Sequence, residues 1–228
     1  MRLRSFPIIT ALAGLALASA PASADQRTDA TALVMKAQNI VQDMARRPVT
    51  MRIPPAVLAQ SRGIVIFPSV VKAGLIIGGS HGKGVVLGHQ PGGDFSAPAF
   101  VSITGGSLGA QIGAEESSII LVLNSPVALD RFVTGKFKLG TDVSAVAGPT
   151  GAAGAKKADV YSYTQSKGVF AGASITGASV SVDQDRVTAF YAQPATASQL
   201  LTGPATAVTV PPVADDLRRA LAQYAQRR

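Results

Sequence analysis

The sequence contains no cysteine and no tryptophan. Without cysteine there is no disulfide, no thiolate zinc site and no acylated lipoprotein cysteine. Aromatic residues make up only 5% of the chain. That is too few for the stacking series of a single-stranded nucleic-acid groove or for the interface girdles of an outer-membrane barrel, so nucleic acid is not expected as a partner. Long hydrophobic runs are lacking too. The apolar stretch at residues 6–18 has about the length of a signal-peptide core and is too short to span a bilayer. Arg2 and Arg4 precede it, and Ala22-Ser23-Ala24 offers a small-residue cleavage site before Asp25. Residues 1–24 are therefore expected to be a removed signal peptide, with residues 25–228 periplasmic or secreted.

What is present in excess is positive charge. Without residues 1–24 the chain carries 19 basic and 13 acidic side chains, a net +6 over 204 residues. That length suits one domain with a sizeable core. The charge favours anionic partners, and outside the cytoplasm phospholipid is far more available than nucleic acid.

Glycine is the other excess, with 13 of the 23 glycines falling in residues 63–116. Between them lie Ile64-Val65-Ile66-Phe67, Leu75-Ile76-Ile77, Val85-Val86-Leu87 and Phe100-Val101-Ser102-Ile103. Short apolar runs broken by glycine read as strands, because each interior glycine costs a helix roughly 1 kcal/mol. Glycine within strands marks bulges, bends or close backbone approach. The expected fold is α+β: one domain with a curved, glycine-rich antiparallel sheet or barrel-like core, covered by N- and C-terminal helices.

Residues 30–47 have helical periodicity, with Asp29 as N-cap and Pro48 as the stop. Leu33, Ala37, Ile40, Val41 and Met44 form one stripe. It either packs on the sheet or, in the sharper reading, faces a membrane interface through Leu33, Ile40, Val41 and Met44. Short helices are expected at residues 56–61, from Ser125-Pro126 to Phe132, from Asp183 or Asp185 to Tyr191, and at 198–201, with an amphipathic helix at 213–226. Residues 118–123 read as a buried strand. Residues 161–165 and 169–175 read as a hairpin turning near Ser166-Lys167-Gly168.

Catalytic patterns fail on inspection. Gly105-Gly106-Ser107-Leu108-Gly109 fits G-x-S-x-G, but both histidines, His81 and His89, lie upstream of Ser107, opposite to the order a nucleophile elbow needs. Residues 78–84 approach a phosphate-binding loop yet lack the first glycine and the Ser or Thr that would follow Lys83. His81 and His89 are eight residues apart on a strand, more than about 20 Å, too far to share a metal. Glu115 and Glu116 are adjacent and face opposite sides of a strand. The sequence assigns no catalytic residue, metal site or cofactor, and gives no oligomeric state. Lys72, Lys83, Lys136, Lys138, Lys156, Lys157 and Lys167 are the candidates for an anionic-surface patch, with Lys136 and Lys138 sharing a strand face.

An ordered set of short motifs remains: Ile53-Pro54, Val57-Leu58, Arg62-Gly63, Gly82-Lys83-Gly84-Val85, Phe95-Ser96-Ala97-Pro98, Gly113-Ala114-Glu115 and Ala147-Gly148-Pro149. Tyr161-Ser162-Tyr163, Lys167-Gly168-Val169-Phe170-Ala171-Gly172 and Phe190-Tyr191 continue it. Together they resemble the SYLF domain, over nearly all of residues 29–224. The resemblance implies a non-enzymatic lipid-binding module whose eukaryotic members are associated with phosphoinositide membranes and, in fungi, with actin. The family's usual Trp before Ser-x-Pro is Phe95 here. A bacterial envelope normally has neither phosphoinositide nor actin, so the expected partner is an anionic phospholipid or membrane surface, with an envelope protein partner as the alternative.

Overall fold

A computed structural model describes residues 20–73, 79–105, 115–149, 157–166, 169–173, 175–204 and 208–227; side chains are described from residue 24, and not at 72, 73, 115, 166 and 169. Nine strands form one curled, half-barrel sheet among the described residues. They are β1 (Gly63–Ala73), β2 (Gly79–Gly88), β3 (Ala99–Thr104), β4 (Glu115–Leu123), β5 (Lys136–Lys138), β6 (Ala145–Ala147), β7 (Val160–Ser166), β8 (Val169–Gly172) and β9 (Ser179–Val182). The order is β5-β9-β3-β2-β1-β4-β7-β6, with β8 also paired to β7. Every pairing of these strands is antiparallel except β6 on β7. The expected hairpin of β7 and β8 is present, whereas the run Leu75-Ile76-Ile77 lies outside the described residues.

The bend in this sheet has a local cause. β1 is central, yet it contains Pro68, which has no N–H to donate. The chain accommodates the proline in a bulge: register with β2 shifts between Ile66 and Ser69, and register with β4 shifts between Phe67 and Val70. Ser118 Oγ donates to the Pro68 carbonyl at 2.7 Å. Opposite the bulge stands Gly84, where a Cβ would lie 2.5 Å from the Ile66 carbonyl oxygen and 2.6 Å from the Phe67 ring. Glycine is required there by close approach.

Among the described residues six α-helices surround the sheet: α1 (Ala20–Arg46), α2 (Pro55–Ala59), α3 (Pro126–Thr134), α4 (Gln184–Tyr191), α5 (Ala197–Leu201) and α6 (Pro212–Ala225). Ser125 caps α3 and Asp183 caps α4, as the sequence suggests. Asp29 is not a cap. The alanine-rich stretch before it continues the helix back to Ala20, with Pro21 tolerated in the first turn.

α1 buries Ala30, Val34, Ala37, Val41 and Met44 completely or nearly so, against α4, α6 and the β1–β2 region. Their three- and four-residue spacing is that of a core-facing stripe. Gln165 of β7 donates to Asp43 Oδ2 at 2.8 Å and holds the C-terminal end of α1 to the sheet.

Three tyrosines fasten loops to this core. Tyr191 Oη donates to the Pro98 carbonyl at 2.7 Å, Tyr163 Oη to that of Pro149 at 3.1 Å, and Tyr224 Oη to that of Ile53. Burial pushes all three phenols up, Tyr224 to about 12 with Arg52 and Arg227 partly opposing the shift. Below pH 10 these groups are neutral in both folded and unfolded chains. Above it the unfolded chain releases protons that the folded chain keeps, so stability falls as pH rises toward 12. Thermal melts from pH 8 to 11.5 should show that decline. Tyr224→Phe should make it shallower while costing about 1 kcal/mol at pH 7 through the lost hydrogen bond.

Candidate functional site

One sheet face is covered by helix along half its length and bare along the rest. Phe100 of β3 packs edge-on to Phe190 of α4, with ring centroids 5.0 Å apart. By the two-residue period, Ser102 and Thr104 lie on the same face, beyond the helix. Register extends both positions across four strands. Lys83 pairs with Ser102, Ser102 with Ser181, and Ser181 with Lys136; the next row runs His81, Thr104, Ser179, Lys138. A bond of 3.0 Å between Ser102 Oγ and Ser181 Oγ joins the middle of the first row. The alternate row, Gly82, Ile103, Val180 and Phe137, is buried.

This places His81, Lys83, Lys136 and Lys138, all exposed, at the corners of a rectangle of about 14 by 7 Å, from strand spacing and rise. Four hydroxyl side chains fill it. Val71, 48% exposed, pairs with His81 and Glu116, so an apolar side chain and then a carboxylate bound the strip on the β4 side. Chemically the strip offers cations and hydroxyl donors to an anionic surface. Its two ends, His81 with Lys83 and Lys136 with Lys138, stand farther apart than a Debye length of about 10 Å and act nearly independently on exposed ligands.

Where α1 and α4 leave the sheet, a groove of about 320 Å³ opens between Asp29, Leu33 and Lys36 on one side and Val71, His81 and Lys83 on the other, with Arg186 in its wall.

Lys83, Lys136 and Lys138 thus come together, and Lys157 does not. Lys157 precedes β7, on the far side of β1 and β4, in an open hollow with Asn124, Ser144, Asp159 and Tyr161. Hydrogen bonds, chiefly from the Ser144 hydroxyl, hold the Asp159 carboxyl below its usual range, so this hollow also carries a firm negative charge. Lys72 pairs through its backbone with Ser80 and Glu115, but its side chain is outside the described residues, as are Lys156, Lys167 and Ser107.

The stripe assigned to a membrane-facing helix lies elsewhere in this structure. Ile40, Val41 and Met44 are buried in the core, and Leu33 is partly buried beside the groove. The sheet supplies the apolar surface that the stripe needs, so it has no outer face to offer. His89 is likewise far from a metal-site role: it stacks on Phe95 at 4.7 Å, and its Nδ1 is 2.9 Å from the Ser61 carbonyl.

Comparison with known proteins adds a family. The model described as "Ysc84: Las17-binding protein actin regulator" matches residues 104–224, more than half of the chain. The chain belongs to the Ysc84, or SYLF, family.

Among relatives, Protein YSC84 of Saccharomyces cerevisiae is 35% identical over 178 residues, 74% of this chain and 37% of that protein. An SH3 domain-containing protein of Schizosaccharomyces pombe is 36% identical over 178 residues, covering 74% and 40% of the two chains. The bovine SH3 domain-containing YSC84-like protein 1 is 32% identical over 182 residues, covering 77% and 52%. The chain therefore spans between about two-fifths and half the length of these Ysc84 relatives. No solved structure matches it. The stretch matching the Ysc84 model holds Lys136, Lys138, Ser179, Ser181 and Arg186, while His81, Lys83 and Ser102 precede it.

Sequence reading missed Lys36, Arg186 and the four hydroxyl residues of the strip. The alternations Ser102-Ile103-Thr104, Lys136-Phe137-Lys138 and Ser179-Val180-Ser181 were a usable signal for one polar face. Nothing in the sequence indicates which strands lie side by side.

Proposed function

We propose that this protein is an exported, non-enzymatic member of the Ysc84 family that binds anionic phospholipid through the bare face of its sheet. The observation that carries this reading is the pair of rows Lys83–Ser102–Ser181–Lys136 and His81–Thr104–Ser179–Lys138. Cations at both ends and hydroxyls between them suit a layer of phosphate head groups, each basic residue near such a surface contributing about 1 kcal/mol. No helix among the described residues is long and apolar enough to cross a membrane; the contact proposed is surface adhesion. Export is read from residues 1–24. Among the described side chains of α1 the first in the core is Ala30, so the expected cleavage after Ala24 removes no described core contact. The non-enzymatic reading rests on chain order: both histidines, His81 and His89, precede Ser107, opposite to the order a nucleophile elbow needs.

Co-sedimentation of the purified protein with vesicles, neutral or containing phosphatidylglycerol, tests this over a salt series. Binding should require the anionic lipid and fade between about 50 and 300 mM salt as screening shortens the Debye length. Equal binding to neutral vesicles, or none to either, would reject the reading. The latter result would favour a protein partner, the property that the family description names for its Las17-binding members.

A further inference from the structure

Arg186 is only 6% exposed, a rare state for an arginine. Its Nε donates to Asp183 Oδ2 at 3.1 Å, and its backbone N–H donates to Asp183 Oδ1 at the same distance. One edge of the guanidinium is thereby fixed. The opposite edge, carrying Nη1 and Nη2, makes no hydrogen bond among the described residues, and Arg186 lines the groove between α1 and the β1–β2 pair. Two further cations line that groove, Lys36 from α1 and Lys83 from β2, and neither forms a salt bridge among the described residues. His81 and the Ser69 position add polar groups to the lining, and Asp29 stands at its exposed rim.

We propose that this groove seats a single phosphate group, with Arg186 as its buried anchor and Lys36 and Lys83 closing on it from either side. A planar guanidinium held along one edge presents two parallel N–H donors to two oxygens of one phosphate, the arrangement that makes arginine selective for this anion. Burial strengthens the attraction by lowering the local dielectric. The groove volume, about 320 Å³, is at the small end for ligand pockets and suits a phosphate with a short polar substituent. The proposal rests on the lipid reading for one of its two ligand sources, a lipid head group. The other source is a phosphoester free in solution. Asp29 opposes both, so the seat is poised at moderate affinity.

Calorimetric titration with inorganic phosphate and with glycerol phosphate, and competition of each against vesicles containing phosphatidic acid, tests the seat. Lys36→Gln and Asp29→Asn alter exposed positions on α1, outside the rectangle of the strip, and should leave folding unchanged. Lys36→Gln should weaken soluble phosphate binding about fivefold. Asp29→Asn should strengthen it by a factor of about three, a change that damage to the fold cannot mimic. Arg186→Gln should abolish it, provided that its circular dichroism matches the parent. Soluble phosphate that saturates the protein and displaces it from phosphatidic acid vesicles identifies the lipid head group as source. Saturation without any vesicle binding supports the seat, identifies a soluble phosphoester, and rejects the lipid reading alone. Absence of saturable phosphate binding, or binding indifferent to both α1 substitutions, overturns the seat even if vesicle binding persists through Lys136 and Lys138.

Discussion

Replacing Lys83, Lys136 and Lys138 together by glutamate should reduce binding to anionic vesicles by at least about a hundredfold at low salt. The three positions lie at corners of one strip, on β2 and β5, with their side chains in solvent. Reversal changes the local charge by two at each position. At about 1 kcal/mol per charge near an anionic surface, even half of the full effect exceeds a factor of one hundred. The fold should be indifferent, because exposed substitutions that remove no partner usually stay within about 0.5 kcal/mol. Lys157→Glu provides the contrast. It lies across the sheet beside Asp159, and vesicle affinity should change by no more than about twofold. Co-sedimentation of the two variants decides the matter: equal losses, or none in the triple variant, would move the lipid contact off this face.

The largest stability effect is expected at Gly84. Its β-carbon would be 2.5 Å from the Ile66 carbonyl oxygen and 2.6 Å from Phe67 Cδ1. The ring can swing only into a filled core, and the carbonyl belongs to the central strand. Overpacking of this kind costs about 1–3 kcal/mol, and a backbone clash puts Gly84→Ala at the upper end. For a domain of this size that corresponds to a Tm lower by about 6–12 °C. Gly79, five residues earlier on the same strand, has nothing within 4 Å of the added carbon. Gly79→Ala should therefore stay within about 0.5 kcal/mol of the parent. If both variants melt alike, the bulge at Pro68 does not press on β2 as described.

The parts of this fold that were legible in the sequence are those governed by neighbours along the chain. Ser125 before Pro126 and Asp183 before Arg186 announce helix starts because a side-chain oxygen three residues upstream meets a free backbone N–H. The hairpin of β7 and β8 follows from two β-rich runs and a short polar turn. Legibility ends where distant segments decide. The apolar run Ile64-Val65-Ile66-Phe67 stops before Pro68, yet β1 continues to Ala73, because partners on both sides tolerate a bulge. β6 is three small residues in a loop, and only the adjoining strand β7 makes it part of the sheet. The candidate site follows the same division. Lys136 and Lys138 could be placed on one face from their spacing, but their alignment with Lys83 depends on the register of β3 and β9. Arg186 looks like any surface arginine in the first turn of a helix, and its burial is set by the packing of α1 over it.

β5 has a second consequence. It is a three-residue strand at the open margin of the sheet, and two of its three side chains are lysine. Exposed strand margins are where chains stack onto one another, and closely set ammonium groups repel a second copy arriving edge to edge. The same two residues would thus keep the protein dispersed when a membrane gathers many copies into a thin layer, and glutamate, unlike valine, would preserve that protection.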